Sequence, residues 1–153
     1  FLPYLGGERT PLNSASVRGA FVGLEHATDR QAGARAILEG VTFAFRDCRD
    51  ALAATGTRLD SLLAVGGGSR SDYWLRAIAT ALNCPVQVPV SGDFGGAFGA
   101  ARLALMAATG AGAEVATLPR SARVVEPDAA LKDAFDAGHA RHLAAQSAIK
   151  GLT

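Results

Sequence analysis

The clearest pattern of apolar and polar positions lies near the middle of the chain. A continuous apolar run at residues 62–65 passes directly into three glycines at 66–68. Such a run is typical of a buried strand in a parallel sheet, and adjacent glycines let a ligand lie against bare main chain. An amphipathic segment then predicts a helix from Ser71 to about Leu82, with Ser69 or Ser71 as its N-cap. The pattern therefore predicts a strand, a glycine turn and a helix.

A longer helix is predicted before this unit. Thr28-Asp29 offers an N-cap, the helix is expected from about Gln31 to Thr55, and Gly56 ends it. Its apolar positions recur three or four residues apart, which places them on one helical face. They are Leu38, Val41, Phe45, Cys48 and Leu52.

Two more helices are predicted after the unit. The first, Gly95–Ala108, begins with small residues that allow close approach to a neighbouring backbone. A hinge at 110–113 and a loop with Pro119 and Pro127 separate it from a closing helix at 128–150. The closing helix has a thin apolar face, so we expect it to pack on the outside. That face consists of Leu131, Phe135, Leu143 and Ile149.

The remaining segments are short. Residues 1–16 contain turn-forming prolines and glycines and are expected to form an N-terminal loop. Residues 20–22 are a strand candidate. Residues 85–89 alternate in polarity, and Pro89 cannot donate to a central ladder, so this segment is predicted to be an edge strand.

The order of these elements predicts the fold class. Strands that alternate with helices indicate an α/β domain with a mostly parallel sheet flanked by helices. Ligands of such sheets bind beyond the carboxyl ends of the strands. The glycine turn at 66–68 lies at such an end, so a nucleotide is the expected ligand.

Composition narrows the classes of function. The 153 residues are 49% hydrophobic and 19% charged, with a net charge of +1, which fits one globular domain (1–153). Lys and Arg are scattered, so we expect no nucleic-acid partner and no membrane surface. Cys48 and Cys84 are too few for a disulfide framework and are interpreted as small buried hydrophobes. A cytoplasmic location is the default expectation, and the start without Met suggests a piece of a longer protein.

General phosphate motifs do not account for the turn. The P-loop pattern is absent from the sequence, and Ser71 stands where the dinucleotide fingerprint needs its third glycine. Asp93-Phe94-Gly95 spells the Mg²⁺-binding triplet of protein kinases. We reject that interpretation, because no His-Arg-Asp loop or Val-Ala-Ile-Lys strand accompanies the triplet.

Two pairs of ionisable residues each have two possible interpretations. His139 and His142 are one helical turn apart and could chelate a metal, but a third ligand cluster is missing from the sequence. We therefore interpret them as a solvated helix face. Glu8-Arg9 is left open between a functional ion pair and an ordinary surface pair.

Five blocks, in this order, resemble the C-terminal half of the FGGY carbohydrate kinases, and within that family the xylulokinases most. The combination covers roughly residues 1–108. The blocks are FLPYLGGERTP (1–11), VRGAFVGL (17–24), ILEGVTFAFRD (37–47), GGGSRSDYW (66–74) and GDFGGAFGAARLA (92–104).

The resemblance implies an actin-like ATPase domain of the ribonuclease-H type, as the incomplete C-terminal half of a two-domain kinase. ATP or ADP would be bound with Mg²⁺ held mainly outside this chain. Carried over by position, Gly67, Gly68 and Ser69 would contact the nucleotide through their backbone, and Asp72 would reach the adenine or the ribose. The helix at 95–108 would pack beside the nucleotide. The resemblance places the catalytic Asp, the sugar-binding residues and the phosphate motifs upstream, so this chain is assigned no catalytic residue and no metal ligand.

The function implied is ATP-dependent phosphorylation of a ketose, D-xylulose to D-xylulose 5-phosphate. Kinases of gluconate, ribulose or glycerol share the architecture and stay open. Two interpretations of other classes also stay open: a non-catalytic nucleotide-binding module, and an oligomerisation module. The sugar would bind through the upstream domain, and a homodimer is left open.

Overall fold

The computed structural model describes residues 1–90 and 95–149. The helices in these ranges are α1 (Arg30–Ala54), α2 (Asp72–Leu82), α3 (Gly95–Thr109) and α4 (Lys132–Ile149). All four predicted helices are therefore confirmed, with α4 starting a few residues later than expected. Of the helices in the described ranges, none has the length and hydropathy to cross a membrane.

The strands are short and form one sheet of three members in the described ranges. They are β1 (Leu62–Leu63), β2 (Val86–Pro89) and β3 (Ser121–Val125). Their order in the sheet is β1-β2-β3, with β1 parallel to β2 and β2 antiparallel to β3. Two short 3₁₀ turns, Gly67–Arg70 and Ala113–Val115, are also present in the described ranges.

The prediction that residues 85–89 form an edge strand was wrong. β2 is the central strand, because the unpredicted strand β3 pairs with it on the side away from β1. The register shifts between Val88 and Pro89, and this irregularity is where a proline without an N–H can be accommodated inside a sheet. The strand expected at 20–22 was also wrong. Ala20 makes only an isolated antiparallel bridge to Leu2.

The buried face of α2 is mostly apolar, whereas the buried face of α1 contains more polar residues. On α2, Leu75 and Ala79 are almost fully buried together with Val86 of β2. On α1, the buried positions are Gly40, Thr42, Phe43 and Asp47. The apolar stripe predicted for α1 is only partly buried, since Phe45 and Leu52 are each more than 40% exposed.

The interpretation of α4 as a solvated outer helix was wrong. His139 and His142 are 7% and 6% exposed, whereas the predicted apolar positions Leu131 and Leu143 are more than 40% exposed. The buried face of α4 is thus largely polar, with Phe135 as its one large apolar member among the described residues. A helix can bury such a face only if its polar groups find partners.

The partners come from a buried polar network made of Tyr4, Asp47, His139, His142 and Gln146. His139 Nε2 donates to Asp47 Oδ1 at 2.6 Å. Gln146 Nε2 donates to the Tyr4 hydroxyl oxygen at 2.6 Å, and the Tyr4 hydroxyl lies 3.1 Å from His142 Nε2. Burial lowers the pKa of His142 to about 4, so the imidazole is neutral near pH 7 and its Nε2 can accept the proton of the Tyr4 hydroxyl. The network therefore ties the N-terminal loop and α1 to α4.

Acid should destabilise the protein through His142. Burial lowers the pKa of His142 from 6.5 to about 4. Between these values the unfolded chain binds a proton that the folded chain does not, so the free energy of unfolding is expected to fall as the pH drops from 6.5 to about 4. Urea denaturation at several pH values measures this slope.

Two single substitutions test the assignment of that slope. His142→Gln should reduce the pH dependence, because the titrating group is gone. His26→Gln serves as the control for replacing a histidine, because His26 lies exposed at the surface. Equal slopes in His142→Gln and the unmodified protein would contradict the assignment.

Candidate functional site

The glycine turn connects the end of β1 to the start of α2, as the sequence predicts. The Ala64 N–H still donates to the Gln87 carbonyl at 2.9 Å, after which Gly66 adopts φ 86° and ψ 179°. A side chain is strongly disfavoured at that positive φ, so glycine is required at position 66 for backbone reasons. Ser71 then caps α2, with its Oγ accepting from the Trp74 N–H at 3.3 Å.

Gly67 and Gly68 differ in what surrounds them. A Cβ built on Gly67 would meet no described heavy atom within 4 Å, and the residue is exposed. A Cβ built on Gly68 would lie 2.6 Å from Cζ3 of Trp74. Gly67 thus offers open main chain at the surface, whereas the side-chain direction of Gly68 faces a tryptophan of the same chain.

Ser69 supports the turn from within. The residue is 9% exposed, and its hydroxyl donates to the Gly66 carbonyl at 2.7 Å. Its N–H donates to the same carbonyl at 3.1 Å. Both donors of Ser69 are therefore used inside the turn, and its predicted contact with a nucleotide stays a prediction.

Asp72 lies in the first turn of α2, where the helix dipole favours a carboxylate. Its side chain is 67% exposed and forms an ion pair with Arg123 of β3. Sequence reasoning missed Arg123, because the strand that carries it was predicted as loop. The ion pair holds the carboxylate beside the glycine turn, and contact of Asp72 with a nucleotide stays a prediction.

The first residue of α3 approaches the same region. A Cβ on Gly95 would lie 3.1 Å from Cβ of Val65, the residue just before the glycine turn. The small residue predicted at this helix start thus permits close contact. Asp93 and Phe94, which carry most of the rejected kinase triplet, lie outside the described residues.

An apolar cavity of about 380 Å³ lies next to the turn. Gly68 and Ser69 form part of its wall, and the rest comes mainly from α1, β1 and α2. The partly exposed stripe of α1 faces it through Phe45, Cys48 and Leu52. Trp74 also lines the cavity, although its sequence position gave only a packing signal.

A second cavity of about 500 Å³ lies between the N-terminal segment, α1 and α4. Its wall includes Phe1, Arg35, Glu39 and Arg141, and the glycine turn does not contribute to it. Arg35 and Glu39 form an i,i+4 ion pair, with Nε and Oε1 2.7 Å apart. Two of the charged side chains that line this cavity therefore form an ion pair with each other.

The open question about Glu8 and Arg9 is answered in part. Glu8 accepts from the Thr10 N–H at 2.5 Å and from the Leu12 N–H at 2.7 Å, one bond to each carboxylate oxygen. Glu8 therefore stabilises the N-terminal loop. Within the described residues, no group of three or more His, Cys, Asp or Glu side chains is arranged to hold a metal ion.

Comparison with known proteins is consistent with this geometry. The chain is 42% identical over 120 residues to the xylulose kinase of Escherichia coli K12, covering 78% of this chain and 25% of that protein. It is 35% identical over 140 residues to the erythritol kinase of Brucella abortus, covering 90% of this chain and 26% of that protein. The chain therefore spans about a quarter of the length of these relatives.

Solved structures and a family comparison give the same result. A crystal structure of a xyloylose kinase from Brucella ovis superimposes with a TM-score of 0.88 at 57% identity, covering 99% of this chain and 32% of that one. Residues 1–108 match the C-terminal domain of the FGGY family of carbohydrate kinases. The resemblance drawn from the five sequence blocks is confirmed, and the chain belongs to the FGGY family of carbohydrate kinases.

Proposed function

We propose that the complete kinase containing this chain phosphorylates D-xylulose to D-xylulose 5-phosphate with ATP, and that this chain supplies the adenosine-binding half. The similarity to xylulose kinases supports the substrate, and the glycine turn supports the role of the chain. The observation that carries the second part is the open main chain at Gly67, placed between the end of a parallel strand and the start of α2. Ligands of open α/β sheets bind at such positions.

The residues of this chain would act by binding and orientation. Adenosine would lie over the main chain of Gly67, where a Cβ would meet no described atom, and beside the exposed Gly68. Asp72 would accept a hydrogen bond from a ribose hydroxyl or the adenine amino group. Phosphoryl transfer depends chiefly on such positioning and on charge neutralisation. The base that deprotonates the sugar hydroxyl would come from another part of the enzyme.

Magnesium would accompany the nucleotide in this proposal. The described residues do not offer a group of acidic, histidine or cysteine side chains that fits a metal ion. We therefore derive no step from this chain through Mg²⁺, and assign the metal to the nucleotide phosphates and to residues of the complete kinase outside this chain. We also propose a cytoplasmic location, where ATP and free pentoses are available.

The substrate is tested with a panel of acceptors. The purified complete kinase should show its highest kcat/KM with D-xylulose when compared with erythritol, gluconate, ribulose and glycerol. A higher value with erythritol would reassign the substrate and leave the ATP site in place. Binding of ADP without phosphorylation of any acceptor would favour a non-catalytic nucleotide-binding module instead.

Replacing Gly67 tests the nucleotide site directly. Gly67→Val in the complete kinase should raise the KM for ATP by about tenfold or more, equivalent to about 1.4 kcal/mol, because a branched side chain would occupy the space above the turn. The KM for xylulose should stay within about twofold.

Gly33 provides the matched control for this experiment. It lies near the start of α1, and a Cβ built there also meets nothing within 4 Å. Gly33→Val should therefore leave both KM values unchanged. An unchanged KM for ATP in Gly67→Val would remove the glycine turn from the nucleotide site.

A further inference from the structure

Trp74 covers one side of the glycine turn. The carbons Cζ3, Cε3 and Cη2 of its six-membered ring lie 2.6, 3.1 and 3.6 Å from the Cβ position of Gly68. Van der Waals contact would need about 3.4 Å or more. Glycine at position 68 is therefore required by a side chain of this chain, whether or not a ligand is bound.

The indole ring is itself held by α1. Its Nε1–H donates to Thr42 Oγ1 at 3.0 Å, and Thr42 is completely buried. The Thr42 hydroxyl donates its own proton to the Leu38 carbonyl at 2.8 Å. A hydroxyl has one proton, so the lone pair of Thr42 is left to accept from the indole.

Two further contacts restrict Trp74. Phe45, one turn along α1 from Thr42, stacks on the indole with ring centroids 6.4 Å apart and planes 22° from parallel. The Trp74 N–H is bound by the Ser71 cap, and the Ser71 N–H donates to the Gly68 carbonyl at 3.1 Å. Backbone and ring of Trp74 thus both restrain the same glycine, one through the cap and the other by packing.

We propose that Trp74, oriented by Thr42, is a positioning residue that fixes the main chain of Gly67 and Gly68 for nucleotide binding. The inference rests on the proposed function, since it concerns the same site. It also gives α1 a role in ATP affinity. This role is indirect, because α1 holds Trp74 and Trp74 in turn contacts the glycine turn.

Thr42 tests the inference with little change in shape. Thr42→Val removes the acceptor and leaves the indole N–H unpaired, while Thr42→Ser keeps the hydroxyl. In the complete kinase, Thr42→Val should raise the KM for ATP by about three- to tenfold, with kcat and the KM for xylulose within about twofold. Thr42→Ser should restore a KM for ATP close to that of the unmodified enzyme. A Thr42→Val enzyme with an unchanged KM for ATP, or an equal rise in both KM values, would overturn the inference.

A double-mutant cycle tests the contact between Trp74 and Gly68. Gly68→Ala alone should raise the KM for ATP, because its methyl group must displace the indole. In the Trp74→Phe background the smaller ring leaves room for the methyl. Each variant raises the KM for ATP by some factor relative to the unmodified enzyme. The factor for the double variant should be at least about threefold smaller than the product of the factors for the two single variants. Effects that simply multiply would show that the two residues act independently and would refute the positioning role.

The Gly67→Val enzyme separates the two proposals. A Cβ on Gly67 does not reach Trp74, so its effect reports the nucleotide site alone. A raised KM for ATP in Gly67→Val with no effect of Thr42→Val would refute the positioning role and keep the site. No effect of Gly67→Val would refute the site, whatever the Thr42 variants show.

Discussion

Replacement of Asp47 by alanine is expected to lower the free energy of unfolding by about 3–5 kcal/mol. Asp47 is 6% exposed on α1 and accepts from His139 Nε2 at 2.6 Å. Its second oxygen lies 3.5 Å from Gln146 Nε2. Without the carboxylate, the buried imidazole of His139 loses its acceptor and the buried amide of Gln146 keeps only the Tyr4 hydroxyl. The cost of leaving such donors unpaired exceeds the net gain from the original bonds.

The experiment compares two aspartates of α1. Urea denaturation of the purified chain can be followed by the fluorescence of Trp74, its single tryptophan. Asp50→Ala should change the free energy of unfolding by less than about 1 kcal/mol, because the Asp50 side chain is 48% exposed and its ion pair with Arg49 is open to solvent on that side. A loss of less than about 1 kcal/mol in Asp47→Ala would mean that the network does not hold α4 in place.

The elements predicted correctly were those that depend on neighbours in the sequence. The Asp29 cap, with its carboxylate accepting from the Ala32 N–H at 2.7 Å, and the positive φ of 85° at Gly56 are local features. The Ser71 cap and the positive φ of Gly66 likewise depend only on adjacent residues. These features are visible in the sequence because the interactions that produce them span three or four positions.

The elements predicted wrongly depend on partners far along the chain. β2 becomes a central strand only because residues 121–125 return to pair with it, and a short polar strand gives little periodic signal of its own. His139 and His142 were assigned to a solvated face because hydropathy treats a polar residue as exposed. Their partners Asp47 and Tyr4 are about ninety or more positions away, and no local pattern reveals such a pairing.

The candidate site shows the same division. The position of the turn and its three glycines followed from the sequence, but their separate roles did not. Gly66 is needed for its positive φ, Gly68 for its contact with Trp74, and among the three only Gly67 combines open space at its Cβ position with a φ outside the positive region. The sequence alone would favour a substitution at Gly68 as a test of ligand contact. Such a substitution would also disturb the packing of Gly68 against Trp74, so its effect could not be attributed to the ligand alone.

Valine at position 138 is expected to lower the free energy of unfolding by about 2–3 kcal/mol, by forcing α1 and α4 apart. A Cβ on Gly138 would lie 2.7 Å from Cζ of Phe43 and 3.3 Å from its Cε2. Phe43 is 8% exposed and packs edge-on against Phe135, with ring centroids 6.1 Å apart. The ring therefore has little room to move, and the gain in helix propensity on replacing glycine by valine, about 0.5 kcal/mol or less, is too small to compensate.

Gly33 again supplies the control, since it is a helical glycine with open space at its Cβ position. Gly33→Ala should stabilise the chain by about 0.5–1 kcal/mol through helix propensity alone. Opposite signs for the two substitutions, measured by urea denaturation, would locate the effect of Gly138→Val in the contact with Phe43. If Gly138→Val were as stable as the unmodified chain, α4 could not be packed against α1 as closely as the position of Phe43 requires. The buried polar network would then also be in question, because the hydrogen bond of 2.6 Å between His139 Nε2 and Asp47 Oδ1 requires the same close packing of α1 and α4.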